Sequence, residues 1–78
     1  MTQNNQKKLN FFAITDTHKA IGIIEGFEPI PEGVSEYTAH IVAWQCLIDT
    51  GVCWQLQGFY GRMAQDLIAR GICTHKKS

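Results

Sequence analysis

The sequence predicts a small, mainly α single domain, and three observations carry that prediction. Apolar residues recur at helical spacing in two stretches: Tyr37, Ile41, Trp44 and Ile48, then Tyr60, Met63, Ala64, Leu67 and Ile68. Helix punctuation surrounds both, because Ser35 is a good N-cap and Gly51 and Gly71 stand where a left-handed C-terminal stop is wanted. The chain has 78 residues, enough for one domain and no more. The predicted architecture is a helical hairpin at about 35–50 and 58–70, a short preceding helix at about 17–25 and an extended N-terminal arm. The domain spans 9–73, with flexible tails at 1–8 and 74–78.

Taken in order, the polar start MTQNNQKK shows no periodicity and reads as a frayed tail. Leu9 to Thr15 is apolar, with Phe11, Phe12 and Ile14, and should pack as a short strand or an arm laid over the helices. For Asp16 to Gly26 two readings stand. Asp16 or Thr17 caps a short helix with Ala20, Ile21 and Ile24 on one face and Gly26 as its stop, or residues 11–15 and 21–25 pair as a hairpin. Gly22 suits neither. FEPIPEGV, at 27–34, is loop chemistry, with Ile30 inserting into the core between Pro29 and Pro31.

In the long helix Val42, Ala43, Cys46 and Leu47 widen the apolar stripe, so it should be covered on more than one side. Asp49 is out of place there, since a carboxylate in the last turn meets the negative end of the helix dipole. Arg62, or backbone N–H groups of the following turn, is the expected partner. In the connection VCWQLQ, Trp54 and Leu56 are expected to turn inward and Gln55 and Gln57 outward. Gly58 and Gly61 flank Phe59 and Tyr60, which suggests close backbone approach or a strained start to the last helix. That helix should expose Arg62, Gln65, Asp66 and Arg70, with Gly71 ending it and Ile72 folding back.

Composition narrows the function classes. Net charge is zero, yet residues 25–49 carry Glu25, Glu28, Glu32, Glu36 and Asp49 with no Lys or Arg, while both ends are basic. A general nucleic-acid binder would show a strongly basic face, and neutrality favours association with protein. No apolar run approaches the ~20 residues of a membrane span, and none follows the N-terminal lysines as in a signal peptide, so a cytoplasmic protein is expected. Cys46, Cys53 and Cys73 are an odd number without framework spacing, and Cys46 and Cys53 read as small buried apolar residues. Cys73 and His75 make no zinc knuckle, and no metal or other cofactor is expected.

No catalytic arrangement emerges. His18 and His40 have neither a nucleophile nor a carboxylate partner in sequence, and a non-enzymatic protein is expected. The run 58–62 places glycines and a guanidinium at a helix N-terminus, but the Walker spacing and its Lys are absent. The candidate binding residues are Asp49, Trp54, Gln57, Phe59, Tyr60, Arg62, Gln65 and Arg70. Two helices joined by a Gly-containing turn also invite a helix-turn-helix reading with Arg62, Gln65 and Arg70 at a groove. The long connection, Asp66 in the reading face and the neutral net charge weigh against it.

One resemblance adds to this reading. Ala43-Trp44-Gln45, Leu47-Ile48-Asp49-Thr50-Gly51, Trp54, Leu56-Gln57-Gly58, Tyr60-Gly61-Arg62, Ala64, Leu67-Ile68 and Gly71 resemble a signature of short, uncharacterised proteins encoded mainly by bacteriophages. The likeness covers about 21–73 and includes Ile24-Glu25-Gly26-Phe27-Glu28. It implies an origin and a fold but no mechanism, and it favours the helix for 16–26. What it implies is a small phage accessory protein that binds a host or phage protein, as a modulator of a host factor or in counter-defence. The alternative is the helix-turn-helix-like nucleic-acid-binding regulator; a homo-oligomer built on an exposed apolar face is a third reading.

Overall fold

A computed structural model describes residues 14–75. Three α-helices follow in order: α1 Thr17–Glu25, α2 Glu36–Thr50 and α3 Gly58–Ala69, with a 3₁₀ turn at Val52–Trp54 between the last two. Among the described residues there is no strand. The tail at 1–8 and the Phe11 and Phe12 part of the arm lie outside the described residues; Ile14, at their edge, is buried in the core.

Local chemistry sets each boundary. The Asp16 carboxylate accepts the His18 N–H at 2.9 Å and caps α1, so the hairpin alternative for 16–26 does not form. Gly26, at φ 90°, ends the helix, and the Phe27 and Glu28 N–H groups both donate to the Gly22 carbonyl, at 2.7 and 3.0 Å. This turn explains Gly22. A Cβ there would stand 2.9 Å from Glu28 Cβ, so the returning chain needs a residue without a side chain.

Ser35 caps α2 by accepting the Thr38 N–H at 3.0 Å, and Gly51 closes it at φ 80°. The capping seen at α1 recurs after α3. Gly71 takes φ 78°, and Ile72 and Cys73 both donate to the Leu67 carbonyl, at 3.0 and 3.1 Å. One carbonyl at each of these helix ends, that of Gly22 and that of Leu67, thereby takes two N–H groups from the chain beyond.

The core is one cluster at the meeting of the three helices. Ala39, Ala43, Cys46, Leu47 and Ile48 of α2 are its spine, with Ala20 and Ile23 from α1, Tyr60 and Ala64 from α3, and Cys53 and Cys73 from the connections. Ile30 packs against this cluster from the loop, as expected. All three cysteines are free and buried, and burial pushes each thiol's pKa up.

Two inward placements are corrected. Tyr37 is 68% exposed, whereas Trp44 and Ile48 of the same apolar row are buried and Ile41 is partly buried, so only the row's first member, in the first turn of α2, lies outside the core. Trp54 is 45% exposed: Val52–Trp54 is a 3₁₀ turn, not an alternating extended segment, and it turns Cys53 inward instead.

Candidate functional site

The predicted site residues do not converge on one point. They divide into two structural ties, a half-exposed cap and one open face.

The first tie involves Asp49. Its carboxylate accepts from Gln45 Nε2 at 3.0 Å, and no ion pair joins it to Arg62. The expected Asp49–Arg62 pair, and the backbone N–H alternative, are therefore corrected: among the described residues the partner is the amide one helical turn earlier on the same face. Gln45 does more than satisfy Asp49. Its Nε2 also donates to the Thr74 carbonyl at 2.9 Å, and its Oε1 accepts the Thr74 N–H at 3.0 Å. The side chain behaves as a second peptide group and fastens the backbone that follows α3 to the middle of α2. Thr74, the first residue of the expected C-terminal tail, is thus held, and beside it the Cys73 thiol lies 3.9 Å from the Ile41 carbonyl.

The second tie is Tyr60. Its hydroxyl donates to the Glu25 carboxylate, which joins the first turn of α3 to the last turn of α1. Desolvation, then the hydrogen bond and the negative charge of Glu25, push the Tyr60 pKa up to about 12. Tyr60 belongs to the core rather than to an accessible surface.

Trp54 is the half-exposed cap. Its ring lies over Gly61, where an added Cβ would make an ordinary 3.7 Å contact, so Gly61 is no point of strain. Gly58 takes no positive φ either. A Cβ at that position would stand 3.0 Å from Arg62 Nη1, the far end of a flexible side chain. The strained helix start is therefore corrected to an unstrained one. Gln57 occupies the N-cap position of α3 without a side-chain capping bond, and Gln65 is exposed.

The open face is on α3. Phe59, Arg62, Met63 and Asp66 line a shallow groove of about 250 Å³. Phe59 is 47% exposed, yet its ring is held from beneath: its centroid is 5.4 Å from Tyr60, edge-on, and 6.3 Å from Trp44, with Trp44 and Tyr60 themselves 5.5 Å apart. Asp66 is engaged by Arg70 at 3.0 Å, one helical turn later. Among the described residues Arg62 has no ion-pair partner. The groove therefore offers an aromatic edge, a thioether, the Asp66 carboxylate and a guanidinium that has no ion-pair partner among the described residues.

Sequence reasoning missed Gln45, Glu25 and Thr74. The i, i+4 spacing of Gln45 and Asp49 was the available signal for the first. The other two act across the fold and leave no local trace. Among the described residues no group of three His, Cys, Asp or Glu side chains is placed to hold a metal ion, and no helix is long and apolar enough to cross a membrane.

The fold and face define a small helical domain with an exposed aromatic–arginine groove on α3. The chain belongs to the family described as a domain of unknown function (DUF7417), which matches residues 32–78 and so takes in α2, α3 and the Gln45–Thr74 tie. No curated protein and no solved structure is similar to the chain.

Proposed function

We propose that this chain is a small non-enzymatic accessory protein of bacteriophage origin, which acts in the host cytoplasm by binding protein through the α3 groove. One observation carries the binding reading: a half-exposed Phe59 packed on Trp44 and Tyr60, flanked by Met63 and by Arg62, which has no ion-pair partner among the described residues. Aromatic residues, Met and Arg are the side chains enriched at protein interfaces, and an aromatic anchor fixed in advance loses little freedom on binding. The resemblance of the 43–71 stretch to short phage-encoded proteins is what favours that origin. Host-factor modulation or counter-defence is the corresponding role.

The nucleic-acid reading has less support. The Asp66–Arg70 pair engages one of its two arginines, and a 3₁₀ turn lengthens the connection beyond that of a helix-turn-helix. Affinity capture from phage-infected cells, with wild type beside Phe59→Ser and Arg62→Ala, separates the readings. The expected result is a discrete protein retained by the wild type and lost by both variants. Retention on DNA at low salt, lost with Arg62→Ala and Arg70→Ala, would instead favour the regulator. Turnover of a small molecule by the purified chain would overturn the non-enzymatic reading.

A further inference from the structure

The three helices are not held together in one way. The backbones of α1 and α2 approach each other closely, as the fully buried Ala20, Ala39 and Ala43 allow, whereas neither brings its backbone comparably close to α3. α3 meets α2 through large side chains instead. Tyr60 and Phe59 reach Trp44 with ring centroids 5.5 and 6.3 Å away. A joint of that kind can separate while the backbone hydrogen bonds of each helix stay intact.

Two ties hold α3 in place, one near its start and one beyond its end. The Tyr60 hydroxyl donates to Glu25, the last residue of α1. Past the other end, the Gln45 side chain closes on both backbone groups of Thr74, in an exposed position. The chain enters α3 through Gly51 at φ 80°, the 3₁₀ turn Val52–Trp54 and Gln57, which gives α3 no side-chain cap. A short 3₁₀ turn behind a left-handed glycine is the kind of connection whose few dihedrals absorb a hinge motion.

We propose that α3 is a hinged unit: it swings away on residues 51–57 as one piece while α1 and α2 stay packed, and the Tyr60–Glu25 and Gln45–Thr74 ties are the two latches that hold it shut. Opening uncovers Trp44, Tyr60 and Cys73, all buried in the closed form. It also takes Phe59 off Trp44, so the aromatic edge of the α3 groove is assembled only when the latches are closed. A ligand that needs that edge would favour the closed form. The hinge itself stands whatever the groove binds.

Native-state hydrogen exchange of the full chain, resolved helix by helix, tests the hinge. The amides of 61–69 are expected to share one opening and to exchange at least about ten-fold faster than those of 42–48 in α2. Two variants then separate a hinge from unfolding of the whole chain. Asp16→Ala removes the cap of α1, a contact that the open form keeps. It should speed exchange in α2 about five-fold and leave α3 unchanged. Gln45→Ala removes a latch that the open form has already lost, so it should speed exchange in α3 by about the same factor or more. Should Asp16→Ala leave too little folded chain, Ser35→Ala removes the cap of α2 and gives the same comparison. Equal protection of α2 and α3, equal acceleration of both helices by the cap variant, or α3 exchange indifferent to Gln45→Ala would each overturn the inference.

Discussion

The side chain of Gln45 closes two hydrogen bonds with the backbone of Thr74, 29 residues later, at 2.9 and 3.0 Å. Asp49 takes a further bond from the same Nε2 and so fixes which way the amide faces. With Asp49 as acceptor, the nitrogen meets the Thr74 carbonyl and the oxygen meets the Thr74 N–H. Gln45→Ala removes all three bonds and is expected to cost about 1–2 kcal/mol in denaturant unfolding. It should also speed alkylation of Cys73, which lies next to the released backbone. Unchanged stability and unchanged labelling would show that the tie holds nothing.

Asp49 offers a finer test of the same tie. Its charge stands at the unfavourable end of α2, an effect of a few tenths of a kcal/mol at such exposure. Asp49→Asn keeps an acceptor for Gln45 and removes the charge, so its stability should equal or slightly exceed that of the wild type. Asp49→Ala loses the acceptor and should be less stable than Asp49→Asn. The reverse order would mean that the charge, not the hydrogen bond, is what the position supplies.

The glycines separate into opposite expectations. At Gly22 a new Cβ would stand 2.9 Å from Glu28 Cβ, on a turn that cannot yield without breaking two backbone hydrogen bonds. Gly22→Ala is expected to destabilise by about 1–3 kcal/mol, despite alanine's better helix propensity. At Gly61 the nearest atom is 3.7 Å away and φ is not positive. Gly61→Ala should therefore stabilise, by roughly 0.5–1 kcal/mol. Thermal melts of the two variants, shifted in opposite directions, would check both.

How much of this was legible in the sequence depends on the range of the interaction. Asp16, Ser35, Gly26, Gly51 and Gly71 act within a turn of their own positions, and each does what its residue type predicts. Tyr37 and Trp54 face outward because burial depends on where the packed core ends, and because a 3₁₀ turn at Val52–Trp54 turns Cys53 inward in place of Trp54. Arg62 was named for Asp49 on sign alone, whereas Gln45 holds the better position one turn away. Within the candidate site, Phe59 and Arg62 were found as residues. That Phe59 is anchored and that Asp66 is taken by Arg70 required the packed helices.

Tyr60 predicts a pH dependence. Its ionisation is pushed from the ordinary value of 10.0 up to about 12 in the folded chain. The unfolded chain therefore gives up this proton first. The stabilisation is fully present below pH 10, declines as pH rises from about 10 to 12, and is lost above that. Unfolding followed across this range should show the decline in the wild type and a flatter profile in Tyr60→Phe. That variant should also lose about 1 kcal/mol at neutral pH with the hydrogen bond to Glu25.

The most direct test of protein binding through the α3 groove is photo-crosslinking with a benzophenone side chain placed at position 66, which lines the groove while leaving Phe59 and Arg62 in place, and at position 19 on α1 as control. In infected cells the account predicts a discrete protein adduct from position 66, abolished by Phe59→Ser and absent from position 19. An adduct of twice the chain mass would identify a second copy. Equal labelling from both positions, or an adduct with nucleic acid in place of protein, would contradict the account.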